Sequence, residues 1–337
     1  MIRRRGNSAL PIFFLLTFAL FCAVVPRFAS ASNLEALMAG YAFIAIAAMG
    51  ESFAILLRGI DLSVGAVMAL AGMVAFDASL ILHLPGYLTI ALALVLATFA
   101  GALNGVLIVF LRLQPFIATL ATLAAYRGIV FTISGRQLVP ELSTAALTDP
   151  WITGLDAYFD IGATLGVESI SLPAVPLSFL LMIVLLVLFE VLLRSTRFGR
   201  DLYATGGNPE AARLAGIDLR RTVLIGYGLS GFCAGVAALL LVARLTTSTE
   251  ALGNGMELTA IAAAVIGGVR LNGGAGSMWG PVIGTFLLGV VLMGLTLFGI
   301  SQFVQQILTG AILLAAIAHS RWLQARSLFR HSAPEAS

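Results

Sequence analysis

The sequence predicts an all-α polytopic membrane protein of about ten transmembrane helices, some short or broken, with both termini cytosolic. Three observations predict it. Hydrophobic residues make up 60% of the 337, charged residues only 10%, and the mean hydropathy is +1.03, a composition that no soluble domain of this length carries. Apolar runs of about 20 residues recur along the whole chain. The arginines that separate them fall on alternate connections.

The ten segments are Ala9–Val25, Leu37–Leu57, Ser63–Leu82, Gly86–Leu111, Pro115–Ser134, Ala174–Leu193, Thr222–Ala243, Glu257–Gly268, Met278–Phe298 and Gln302–His319. The eighth is too short to cross alone. Arg3, Arg4 and Arg5 ahead of the first, with Ala29-Ser30-Ala31 beyond it, also outline a cleavable signal peptide. Against cleavage, the apolar run exceeds the usual length of about 7–15 residues, and Pro26-Arg27 reads as an ordinary helix end. Residues 1–33 are therefore taken as a cytosolic tip and first span, 34–320 as the main transmembrane domain and 321–337 as a cytosolic tail.

Every basic residue is arginine. With both termini inside, Arg58, Arg112, Arg194, Arg197, Arg200, Arg213, Arg220, Arg221, Arg270, Arg321, Arg326 and Arg330 join Arg3–Arg5 in the cytosol, and only Arg27, Arg136 and Arg244 fall outside. The isoelectric point near 9.2 thus reflects membrane orientation and no nucleic-acid surface. Without lysine there is no P-loop, so the chain does not hydrolyse ATP itself. Three scattered histidines and two cysteines inside apolar runs offer no metal site, no cofactor is implied, and no Gly-x-Ser-x-Gly elbow occurs.

Two connections stand apart. Residues 135–173 form the long external segment, acidic through Glu141, Asp149, Asp156, Asp160 and Glu168. Residues 194–221 form the polar cytosolic loop. Within it Asn208 is a good N-cap, Pro209 suits the first helical position, Glu210 suits the positive end of the dipole, and Gly216 supplies a stop. A helix of seven residues, Pro209–Ala215, is too short to stand alone in water, so something must hold it. Ala211, Leu214 and Ala215 share one face and suggest a docking site for another protein.

Polar residues inside spans are costly and so are functional candidates: Glu51, Asn104 and Arg127, with Asp77 and Glu190 explained more cheaply by position, Glu190 reaching Arg194 one turn on. Gln114-Pro115-Phe116 combines an amide, a break and an aromatic, a mixture that can hydrogen-bond and stack a small ligand. A plain helix start explains it as well. A weak internal repeat lays Gly59–Gly65 over Gly268–Gly274, glycine-rich turns that join successive spans.

LLRGIDLSVGAVMALAG (56–72), GALNGVLIVFLRLQPFIATLATLAAYRGIVF (101–131), RFGRDLYATGGNPEAARLAGI (197–217) and ELTAIAAAVIGGVRLNGGAGSMWGPVIG (257–284) together resemble the membrane-spanning permease subunit of ribose-type bacterial ABC importers, from about Leu34 to Ala318. The resemblance implies a cytosolic ATPase subunit, a second permease copy or paralogue, and an external solute-binding protein that delivers a small neutral sugar. It also implies residence in the bacterial inner membrane. Glu210-Ala211-Ala212 and Gly216 match the coupling motif E-A-A-x-x-x-G, and the docking set becomes Asn208, Pro209, Glu210, Ala211, Ala212, Leu214, Ala215 and Gly216, a lever moved by the ATPase. The Ile-x-Leu-Pro continuation of that motif is absent, Ile225–Gly228 standing in its place. Asn104, Gln114, Phe116, Asp61 and Ser63 are the candidate solute pathway. An ion-coupled secondary transporter is the alternative, which would need buried coupling carboxylates and no cytosolic dock.

Overall fold

The computed structural model describes residues 9–134, 147–160 and 173–331. Arg3–Arg5, Arg136, Glu141 and Glu168 lie outside them. The elements run α1 (Ala9–Val24), α2 (Ala31–Leu56), α3 (Val64–Leu80), α4 (Gly86–Phe110), α5 (Pro115–Ser134), α6 (Pro150–Thr153), a 3-10 turn (Gly154–Asp156), β1 (Tyr158–Phe159) and β2 (Val175–Pro176). Then come α7 (Leu177–Ser195), α8 (Arg197–Gly207), α9 (Pro209–Leu214), α10 (Leu219–Leu245), α11 (Met256–Ile266), α12 (Trp279–Leu297) and α13 (Gln302–His331).

Each of the ten predicted segments corresponds to a helix. Among the described residues, six of these helices are long and apolar enough to cross a membrane, namely α2, α4, α5, α7, α10 and α12. The chain is a mostly helical, multi-pass membrane protein. Shorter apolar stretches occupy α1, α3, α11 and the first half of α13.

At the centre stands α2, buried without interruption from Ala42 to Leu56 and packed against α7, α10, α11 and α12. Its run of alanines makes this possible, because small side chains let helix backbones approach where lipid gives no hydrophobic drive between helices. The most extensive pairing is α4 with α10, where a β-carbon on Gly231 would come within 2.2 Å of Ala97 O. Ser30 caps α2, its Oγ accepting from Asn33 N at 3.4 Å. Away from the arginine-rich end, Asp149 accepts from Trp151 N and Gly86 N, both at 2.8 Å, and β1 pairs antiparallel with β2, Tyr158 opposite Pro176.

Two differences from the sequence reading matter below. Residues 197–207, taken as loop, form α8. The short helix ends at Leu214, with Ala215 as its C-cap, so it has six residues and not seven.

Candidate functional site

The short helix α9 is built by its ends. Asn208 is extended, and its Oδ1 accepts from Ala211 N at 3.1 Å, while Glu210 in the first turn pairs with Arg213 at 2.8 Å. At the other end Gly216 N donates to Arg213 O and Ile217 N to Ala212 O, both at 3.0 Å, around Gly216 at φ +78°. These two bonds are a Schellman stop, and the left-handed residue at its heart is favoured as glycine. Ala211, Leu214 and Ala215 face outward, Leu214 with 85% of its surface exposed. Ala212 does not: it is 3% exposed and turned into the chain's own interior.

What holds this helix is α8 and the joint beneath it. Thr196 caps α8, its Oγ1 accepting from Gly199 N at 3.2 Å, and Leu202, Thr205 and Gly206 are buried. The Arg58 guanidinium, on the α2–α3 turn, donates to Gly206 O at 2.5 Å and to Gly207 O. That places a cation at the negative end of α8. Gly274 N, from the α11–α12 turn, donates to Leu56 O at 2.9 Å. A β-carbon on Gly206 would stand 1.7 Å from Leu56 O, so three segments meet through bare backbone. The two glycine turns of the internal repeat thus lie side by side. Nearby, Glu190 pairs with Arg194 and also accepts from Met278 N at 2.8 Å, just ahead of α12, and Tyr203 donates to Gly276 O at 2.7 Å.

Three residues beyond Arg58 the α2–α3 turn enters a buried polar knot. Asp61 Oδ1 accepts from Ser63 N at 3.0 Å and from Ser63 Oγ at 2.6 Å, an Asx turn that starts α3. Asp61 Oδ2 accepts from Ser230 Oγ at 2.9 Å. Asn104 Nδ2 donates to Ser63 Oγ at 2.8 Å and lies 3.3 Å from Asp61 Oδ1, while Asn104 Oδ1 accepts from Thr122 Oγ1 at 2.6 Å. Glu51 Oε1 accepts from Asp61 N at 3.1 Å, and Thr119 Oγ1 donates to Ile60 O at 2.9 Å. Every side chain named here is buried. One network therefore ties α2, α4, α5 and α10 to the turn.

Of the predicted pathway residues the fold brings Asp61, Ser63 and Asn104 together. Gln114 and Phe116 stay apart from them, exposed at the start of α5, Phe116 at 51%. Asn104 faces Thr122 and Ser63, not the Gln114–Phe116 start across the α4–α5 turn. Thr119, Thr122 and Ser230 carry the knot without having been singled out, since a threonine hydroxyl in a helix usually bonds its own backbone, as Thr122 also does to Ala118 O at 3.2 Å. Arg127 donates to Glu250 O and Leu252 O, at 2.5 and 2.9 Å. Among the described residues no group of histidine, cysteine, aspartate and glutamate could hold a metal ion.

The fold is that of a helical, multi-pass membrane protein that presents one short capped helix at its arginine-rich end. The sequence profile of the family described as branched-chain amino acid transport system / permease component matches residues 33–317, and the chain belongs to that family. It is 33% identical to the ribose import permease protein of Haemophilus influenzae over 97% of this chain and 96% of that one. To the D-allose transport system permease protein of Escherichia coli it is 35% identical, over 92% and 90%, and to the E. coli xylose transport system permease protein 36%, over 86% and 84%. No solved structure matches.

Proposed function

We propose that this chain is the permease subunit of an ATP-driven importer, forming the path for a small neutral sugar or sugar-like solute delivered by an external binding protein. It is a transport subunit and not itself an enzyme. All ten apolar helices cross or enter the bacterial inner membrane, both termini lie in the cytosol, and two copies, or this chain and a paralogue, enclose the path. The relatives named for ribose, allose and xylose import or transport support a monosaccharide as the solute class, and they support this reading over ion-coupled secondary transport.

The observation that carries the reading is α9. A six-residue helix capped at both ends, with Leu214 left bare at the arginine-rich end, is what a docking element for a cytosolic ATPase requires. In this reading Asn208, Pro209, Glu210 and Gly216 shape the helix, Ala211, Leu214 and Ala215 touch the ATPase, and Ala212 seats the helix on its own subunit. Asp61, Ser63 and Asn104 hold the α2–α3 turn in register with the joint, and Gln114 and Phe116 border the cytosolic mouth. The test is Leu214→Glu: membrane insertion and thermal stability should be unchanged, while copurification of the ATPase and sugar uptake fall together. Normal copurification, or reporter fusions that place Gly207 outside the cell, would overturn the reading.

A further inference from the structure

Between α10 and α11 the chain leaves the helical ladder and turns back into the bundle. Thr246 (φ 53°) opens this segment, and Gly253 (φ 69°) and Gly255 (φ 78°) close it. Its depth can be read against α3. A β-carbon on Gly72 would touch Ser248 Oγ at 3.2 Å, and one on Gly65 would stand 2.3 Å from both Gly253 O and Glu257 Oε2. At a rise of about 1.5 Å per residue, Gly65 lies roughly 22 Å along α3 from Leu80, so the tip of the segment sits deep within the spans. This is also why α11 has only eleven residues, about 16 Å, and does not cross alone.

Irregular backbone at that depth survives only where protein covers it or water reaches it. Protein covers part of it: Leu252 and Ser248 are buried, and Arg127 from α5 donates to the carbonyls of Glu250 and Leu252. Ala251 and Asn254 remain exposed on the same segment, flanked by the partly exposed Glu250, Glu257 and Arg127. Charged groups and an open turn of this kind do not face lipid.

We propose that residues 246–255 form a re-entrant loop whose tip lines the aqueous path of the solute, with Asn254 offering an amide to its hydroxyls and Arg127 serving as the positioning residue that clamps the loop. The assignment rests on the importer reading and names where in the bundle the solute passes. An amide can donate to and accept from a neutral hydroxyl without adding a fixed charge to the path.

The test uses a full chain carrying Cys22→Ser and Cys233→Ala, expressed with its transport partners, into which Ala251→Cys, Asn254→Cys or Phe99→Cys is placed singly. Phe99 sits on the exposed apolar flank of α4 beside Leu94 and Val95 and serves as the lipid-facing control. A membrane-impermeant, water-borne maleimide should label positions 251 and 254 and leave position 99 unlabelled, and Arg127→Met should alter the labelling rate at 254 but not at 99. Absence of label at both loop positions, or an oxidative cross-link between two copies through position 254 without labelling, would overturn the proposal, the second by showing a dry contact between copies. Loss of ATPase copurification in the Leu214→Glu test bears on the importer reading alone, whereas labelling reports the loop whichever machine drives transport.

Discussion

At the joint, α2, α8 and the α11–α12 turn meet through backbone, Gly274 N on Leu56 O and Gly206 pressed against the same carbonyl, with two side chains, Arg58 and Tyr203, reaching across. Three residues further on, Asp61, Ser63, Asn104, Thr122, Ser230 and Glu51 meet mainly through side chains, with the backbone N–H groups of Asp61 and Ser63 donating into the network. The two regions respond differently to force. Backbone contact through glycine fixes distance closely and tolerates no added atom, so displacement of α8 must move Leu56 as well. A side-chain network is directional, and a buried one is costly when half made, which favours discrete arrangements over gradual yielding. The joint can thus carry movement and the knot can convert it into one of few states.

The sharpest way to break the comparison is Gly206→Val. With Leu56 O only 1.7 Å from the first added carbon and Gly274 N 2.7 Å away, no rotamer relieves the clash. We expect a loss of roughly 3 kcal/mol or more, seen as a large fall in the melting temperature of the purified chain or in its membrane level. A near-normal melt would show that the three segments can separate, and the joint would not be rigid.

Next comes Asn104→Leu, which strips a donor from Ser63 and Asp61 and an acceptor from Thr122. Asp61, Ser63 and Thr122 keep their other partners, so the loss of these buried bonds should cost about 1–2 kcal/mol. If the knot is a switch, uptake should fall more than the melt implies, and Thr122→Val should reproduce part of the defect. Equal loss in stability and uptake would make the knot a packing device only.

The local parts of this arrangement were legible in the sequence and the distant ones were not. Asn208-Pro209-Glu210 and Gly216 carry their own caps, and Glu190 with Arg194 is an i, i+4 pair, so each needs only its neighbours. Asn104 stands out because a polar group in an apolar helix is expensive, yet nothing local says that it reaches back 43 residues to Asp61 on the α2–α3 turn. The helix α8 was hidden because its arginines and Gly199, Gly206 and Gly207 suggest loop, and it is tertiary burial of Leu202 and the Thr196 cap that stabilise it. The brevity of the eighth segment was visible; the re-entrant turn that causes it was not, since its partners, Gly65 and Arg127, lie on other helices.

Arg58 joins the two regions, and changing it should have a middling effect. Arg58→Met removes two charge-assisted bonds to the end of α8, worth about 1–2 kcal/mol together after the exposed portion is discounted. The same residue holds φ 66°, a conformation that glycine adopts freely, so Arg58→Gly relieves backbone strain while losing the same bonds. The glycine variant should therefore melt higher than the methionine variant, although both should keep the ATPase bound and make its hydrolysis less responsive to the binding protein. Full responsiveness in both would show that the Leu56–Gly274 contact carries the movement without Arg58.

The smallest effect is expected at the far end of the bundle, where Asp156 lies 4.0 Å from Arg244 and both are about one-third exposed. Burial pushes the Asp156 carboxyl up from its ordinary value of 3.8, with Arg244 pulling it back down. A carboxyl raised in the folded state binds its proton more tightly there. Its contribution is fully present below 3.8 and fades as pH rises through the raised value, so the charge slightly disfavours the fold at neutral pH. Asp156→Asn should then change stability by less than about 0.5 kcal/mol at neutral pH and flatten the weak decline in melting temperature above pH 4. A larger loss would mean that the Asp156–Arg244 pair anchors the end of α10 from which residues 246–255 turn inward. The far end of the bundle would then be a third mechanical element, set apart from both the joint and the knot by resting on charge.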